Sequence, residues 1–252
     1  SAVSFNAGAK TPAAGAFTAM GLTLATLFLT PYLYYLPIAT LAAMILIAVL
    51  SLIDVAAMQR TWTYSYKDFS ALALTALLTM TMGLEIGLIS GVVLSIVWHL
   101  YWSSHPHTAV LGKLPNTEHF RNIERHTAEL DENIISFRFD ASLYFANARF
   151  LEDKVNQLIA DYPKAKHLVL MCSSINDIDI SAVESLVAIN ERLARAHISF
   201  HLSEVKGPVL DRLQQSHFFD LLTGKLYISH YQAWTELAAK DVLSPPNTDK
   251  ND

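Results

Sequence analysis

The chain has 252 residues, of which 52% are hydrophobic and 16% charged, with a net charge of −5. An acidic balance with no basic stripe excludes nucleic acid as a partner. The single cysteine, Cys172, excludes both an internal disulfide framework and a multi-cysteine zinc site.

That average conceals a split. Up to Ser104 the only charged residues are Lys10, Asp54, Arg60, Lys67, Asp68 and Glu85, and nine of the ten histidines come later. A charge-poor half followed by a charge-rich half predicts a membrane segment, residues 1–104, joined to a soluble domain, residues 105–240. The first residue is Ser1, and the apolar stretch begins almost at once with no basic leader. This predicts that upstream sequence has been lost and that no signal peptide is present.

A spanning helix needs about 20 predominantly apolar residues. Pro12–Thr30 and Tyr32–Ile53 each qualify without a charge, and Thr30-Pro31 predicts a turn between them. Phe69–Trp102 contains only Glu85. As one helix it would extend about 50 Å, beyond a hydrocarbon core of about 30 Å. It is therefore expected to fold back near Gly83–Gly87, giving about four spans in all. With four spans, Lys10, Arg60, Lys67 and the charged domain share one side, which the positive-inside rule makes cytoplasmic. Trp62, Tyr64, Tyr66, Tyr101 and Trp102 stand where interfacial aromatic belts form. Gly83, Gly87, Gly91 and Ser95 make a stripe of small residues that lets a second helix approach closely. Glu85 has two readings, a proton- or ion-coupling carboxylate within the membrane or a turn residue at its far face.

Beyond the His105-Pro-His107 linker the pattern becomes alternating strands and helices, predicting a mainly parallel sheet flanked by helices. Strands are expected at Asn133–Asp140, Leu143–Ala146, His167–Met171, Ile198–Leu202 and Leu226–Ser229. Cys172 is read as a buried residue at the end of the third of these. Helices are expected after Asn147 as cap, with Leu151, Val155, Leu158 and Ile159 on one face, and over Ala182–Ala196, burying Leu186, Ile189 and Leu193. Two more follow, one opened by Gly207-Pro208 and one through Tyr231, Trp234 and Leu237. The polar residues 241–252 are expected to be disordered. No catalytic set, phosphate loop or metal-ligand spacing emerges, so no enzyme, metal or cofactor is expected. Ser181 begins the central helix. Ser181-x-x-Glu184 predicts a capping box, while a serine at a helix start is also a place for a phosphate.

Asp179-Ile-Ser-Ala-Val-Glu-Ser-Leu, at a turn from a buried strand into a helix, resembles the signature loop of STAS domains. Three further stretches resemble sulfate permease (SulP) transporters that carry such a domain. These are Ser1-Ala-Val-Ser-Phe-Asn-Ala-Gly-Ala-Lys-Thr-Pro, the hairpin Gly83-Leu-Glu-Ile-Gly-Leu-Ile-Ser-Gly-Val-Val-Leu-Ser-Ile, and Leu111-Gly-Lys-Leu-Pro-Asn-Thr-Glu-His-Phe-Arg-Asn-Ile. The resemblance implies the C-terminal part of a fourteen-span secondary active anion transporter in a bacterial inner membrane, with a cytoplasmic, regulatory STAS domain. It also implies a homodimer, an inorganic anion or dicarboxylate as substrate, and a possible cytoplasmic protein partner. Ser1 would lie at the edge of an anion site built on helix N-termini. Asp179 and Ser181 are the implied regulatory residues. In the sporulation relatives the phosphorylated serine directly follows the aspartate; here Ile180 holds that place. The competing reading is a membrane-tethered STAS module that binds a partner without transport.

Overall fold

The computed structural model describes residues 13–33, 37–50 and 54–243. The chain divides into two compact units, residues 1–72 and 73–252.

In the first unit, α1 spans Ala13–Leu33, α2 Ile38–Leu50 and α3 Val55–Tyr64. At about 1.5 Å per residue α1 reaches roughly 31 Å, enough to cross a bilayer. The turn expected at Thr30-Pro31 is not there, because Pro31 lies inside α1. With no N–H, Pro31 leaves the carbonyl four residues back without its helical donor, yet the helix runs on to Leu33. The hydroxyls of Thr18 and Thr23 bond back to Ala14 O (2.8 Å) and Ala19 O (2.9 Å), so these polar groups are satisfied within the helix, as lipid requires. The 13 residues of α2 reach only about 20 Å; the rest of the expected second span, at 34–36 and 51–53, lies outside the described residues. Helix α3 was not anticipated. Asp54 starts it by accepting from Ala57 N–H at 2.8 Å.

Helix α4, Tyr66–Met82, runs into the second unit and is followed by α5, Leu84–Ser104. Gly83 alone separates them, at φ 98°, a left-handed backbone that glycine adopts without penalty. The expected fold-back is therefore sharper than Gly83–Gly87. The small-residue stripe meets α4 itself: Gly87 faces Thr79 and Gly91 faces Thr75, the register of an antiparallel hairpin. Of the described helices, only α1 (over Ala13–Pro31) and α5 combine spanning length with sufficient hydropathy.

After α5 comes the α/β domain. Its strands are β1 (Thr108–Lys113), β2 (Phe120–Asn122), β3 (Ile134–Phe139), β4 (His167–Met171), β5 (Ser199–Ser203) and β6 (Leu226–Tyr227). Its helices are α6 (Phe145–Asp161), α7 (Ile180–Arg195), α8 (Gly207–Gln215), the single turn α9 (Phe218–Leu221) and α10 (His230–Leu243). The sheet order is β2-β1-β3-β4-β5-β6. β3 to β6 are parallel, while β1 and β2 form an antiparallel margin. The mainly parallel sheet is as expected; β1 and β2 were not. The short strand expected at Leu143–Ala146 reduces to one bridge between Leu143 and Ile178, because α6 already starts at Phe145.

Strand alternation divides the core. Phe137, Phe139, Leu168, Leu170, Phe200 and Leu202 face α6 and α7, which contribute Leu151, Val155, Leu186, Ile189 and Leu193. On the other face Ile134, Val169 and Tyr227 meet Ala233 and Leu237 of α10. β4, the apolar run, is covered on both sides, as a central parallel strand must be. Helix α10 continues to Leu243, past the expected limit at Lys240, and the remaining tail lies outside the described residues.

Candidate functional site

Ser1 lies outside the described residues. Asp179 and Ser181 sit at the turn after β4. The capping assignment is corrected here: the N-cap of α7 is Asp179, not Ser181. Its Oδ1 accepts from Ala182 N–H at 2.8 Å. Ile180 is already helical, so Ser181 comes one position too late to cap. Oδ2 of Asp179 accepts the N–H of Phe145 at 2.8 Å. One carboxylate thus closes the N-termini of both α6 and α7, and takes the place an anion would occupy there. Ser181 is half-buried, and among the described residues its hydroxyl makes no hydrogen bond to protein.

Removing this clasp tests it. Asp179→Ala should lower the urea-unfolding free energy of the domain by about 2 kcal/mol, roughly one for the lost cap and one for the orphaned Phe145 N–H. Ser181→Ala should change it by less than about 0.5 kcal/mol. A larger loss at Ser181 than at Asp179 would reverse the assignment.

The flanking loop is tied down from α8. Arg212 Nη1 lies 2.5 Å from Asp177 Oδ1 and also donates to Ile178 O. Lys206 Nζ donates to Asn176 Oδ1 at 2.6 Å. A shallow cavity of about 350 Å³ opens beside it, lined by Ile178, Asp179, Ile180, Val183, Arg212, Gln215 and Ser216. Its one cation is already engaged with Asp177 and its wall adds the carboxylate of Asp179, so it offers an inorganic anion little. A second cavity, about 540 Å³, has Lys154 on its wall together with Glu124 and Asp161. With acidic groups outnumbering the single basic one, it also selects against anions.

The helix that leaves the hairpin is joined to the same end of the domain. Tyr144 Oη donates to Ser103 Oγ, and Asn147 Nδ2 donates to Ser142 O at 2.9 Å and to Ser103 O at 3.4 Å. Asn147, expected to cap α6, is instead fully buried at its third helical residue and accepts from Tyr144 N–H at 3.0 Å. His105 lies between the rings of Tyr101 and Phe150, with centroids 5.1 and 5.2 Å away. His107 Nδ1 is 2.8 Å from Asp140 Oδ2, and Arg138 holds the same carboxylate at 2.5 Å. Burial alone would raise the Asp140 carboxyl, but the bonds from Arg138 and His107 outweigh it and hold it below the usual range. Ser103, Tyr144 and Arg212 were missed from the sequence because each finds its partner across a fold-dependent gap, and the local Arg138–Asp140 pair because its role depends on His107, 33 residues from Asp140.

Cys172 is buried as expected, and burial pushes its thiol up to about 12, so it is no thiolate nucleophile. Among the described residues no three His, Cys, Asp or Glu side chains converge as metal ligands.

Residues 126–233 match the STAS domain family, and residues 1–75 match the Sulfate permease family. Sulfate transporter 1.3 of Arabidopsis thaliana is 31% identical over 261 residues, covering 99% of this chain and 39% of that protein. Sulfate transporter 3.1 of the same plant is 33% identical over 236 residues, covering 89% and 36%. High affinity sulfate transporter 2 of Stylosanthes hamata is 30% identical over 232 residues, covering 88% and 35%. The chain thus spans less than two fifths of the length of these curated relatives. In fold it is similar to the murine Solute Carrier 26 family member A9 anion transporter in the inward-facing state, with a TM-score of 0.74 and 20% identity over 92% of this chain and 39% of that one. The Sulfate permease match, the STAS match that follows it and the sulfate transporter relatives aligned across both place the chain in the sulfate permease (SulP) family.

Proposed function

We propose that this chain serves secondary active transport of an inorganic anion of the sulfate type across a membrane, with the STAS domain as a regulatory module on the cytoplasmic side. The observation that supports it most is the physical coupling of the two halves. The α4–α5 hairpin passes into the STAS domain through α5, with Ser103 bonded to Tyr144 and Asn147. A displacement of α5 is thereby felt at the start of α6. The cytoplasmic orientation is supported by the positive-inside rule, through Arg60 and Lys67 in the connection between the expected spans. Asp179 acts within the regulatory module as the clasp between α6 and α7, and Ser181 supplies its half-exposed hydroxyl.

Purified protein in proteoliposomes tests this reading. Inward flux of radiolabelled sulfate, competed by unlabelled bicarbonate or a dicarboxylate in proportion to its fit, supports transport. A membrane-tethered partner-binding module gives no flux. Glu85 is the second residue of α5, exposed, where a carboxylate favours the helix N-terminus. The turn reading expects Glu85→Gln to leave the pH dependence of flux unchanged; its loss would assign Glu85 to proton coupling.

A further inference from the structure

Phe145 and Ile180 are two large apolar side chains left in solvent at one end of the STAS domain, 69% and 68% exposed. They are the first residues of α6 and α7. Asp179 ties the two helix starts together, since it bonds the N–H of Phe145 and caps the helix that Ile180 begins. Tyr144, next to Phe145, is hydrogen-bonded to Ser103. Ser103 lies in the last turn of α5, directly after Tyr101 and Trp102, which are themselves exposed. Aromatic residues at the end of an apolar 21-residue helix sit at the headgroup level of a bilayer. The hydrogen bonds therefore hold the tip of the STAS domain within about a turn of that level. Arg149, exposed one turn along α6 from Phe145, sits on the same face, suited to lipid phosphate.

We propose that Phe145 and Ile180 form an apolar foot that rests in the lipid headgroup layer beside α5. The foot rests on the reading of α5 as a membrane span. Two aliphatic or aromatic side chains dipped into the interface add a second attachment to the single helical tether, limiting the tilt of the domain beneath the membrane.

The test uses the full chain in phosphatidylcholine–phosphatidylglycerol vesicles, with one nitroxide label per variant. Cys172 stays unlabelled because it is buried and its thiol is pushed up to about 12. Labels go at Phe145→Cys and Ile180→Cys, at Val92→Cys on the exposed middle of α5, and at Glu191→Cys. Glu191 is exposed and about 16 Å along α7 from Ile180. The expected result is that labels at 145, 180 and 92 collide severalfold more with lipid-dissolved oxygen than with an aqueous nickel chelate, and the label at 191 does the reverse. Labels at 145 and 180 that match 191 overturn the foot while leaving the span intact, provided 92 stays in lipid. Labels at 145 and 180 that are immobile and shielded from both reagents assign the surface to a protein contact and overturn the lipid proposal. A water-exposed label at 92 overturns the span, and the foot with it.

Discussion

Acidification from pH 6.5 to pH 4 should remove about 3 kcal/mol from the stability of the STAS domain through one residue, His230. His230 is 1% exposed at the start of α10. Its Nδ1 lies 2.7 Å from Ser203 Oγ, its backbone N–H reaches Glu204 Oε1 at 3.3 Å, and the Phe120 ring stands edge-on with its centroid 4.5 Å away. Nε2 is buried and has no partner among the described residues. The charged imidazole carries an N–H on both nitrogens, so it would hold a donor at Nε2 with nothing to receive it, and burial lowers the imidazole to about 4. In the unfolded chain the ordinary value is about 6.5. Between these values the unfolded state binds the extra proton, so stability falls as pH falls and the loss is complete below about pH 4. Asp140 titrates elsewhere: held below the usual carboxylate range, it contributes stability that disappears only at still lower pH. Urea midpoints measured across this range should therefore slope for the native chain and flatten for His230→Leu. An unchanged slope in the variant would show that His230 is already charged in the fold.

The second large effect lies in the hairpin. A Cβ at Gly87 would stand 2.7 Å from the backbone nitrogen of Thr79 and 2.8 Å from its Cα. Backbone cannot rotate away, so α4 and α5 must separate. At Gly91 the three atoms nearest the new carbon all belong to the Thr75 side chain, Oγ1 first, then Cβ at 3.2 Å and Cγ2 at 3.3 Å. A threonine side chain can change rotamer. Alanine improves helix propensity by about 1 kcal/mol at either site. Overpacking against fixed backbone costs about 1–3 kcal/mol and outweighs that gain only at Gly87. Gly87→Ala should lower the thermal midpoint of detergent-solubilised protein and broaden its size-exclusion peak, whereas Gly91→Ala should stay close to native. Equal behaviour of the two variants would mean that the helices do not meet along this stripe.

Much of this fold follows from local pattern. The unbroken apolar run His167–Met171 marks a strand covered on both faces, and it is β4. Leu186, Ile189 and Leu193, spaced three and four apart, mark the inward face of α7, and each is 2% exposed or less. Pro208 marks the first turn of α8. The Gly83 hairpin was legible because Phe69–Trp102 is too long to cross the bilayer once.

What local pattern missed depends on distant partners. Thr108–Lys113 contains Gly112 and no strict alternation, and becomes β1 through pairing with β3 about 25 residues away. Both Asp179 and Ser181 satisfy the residue preference for an N-cap. The choice is settled by the N–H of Phe145, which lies 34 residues upstream and needs the carboxylate's second oxygen. Pro31 predicted a break because proline lacks an N–H and crowds the preceding turn, yet α1 runs two residues past it. The departure at Ile180, where the sporulation relatives place a phosphorylated serine, gains a structural counterpart. Ile180 is exposed beside Phe145, and the negative charge at these helix ends is supplied by Asp179 itself.

In the proposed role, a membrane hairpin and a STAS domain act together in anion transport. Its most direct test is uptake of radiolabelled sulfate by cells lacking their own sulfate uptake and expressing this protein, together with any coding sequence that precedes Ser1. The expected result of that proposal is saturable uptake above vector control, reduced by Gly87→Ala in step with the loss of folded protein. Absence of uptake while the protein stands correctly inserted in the membrane, with its STAS domain folded, would contradict it.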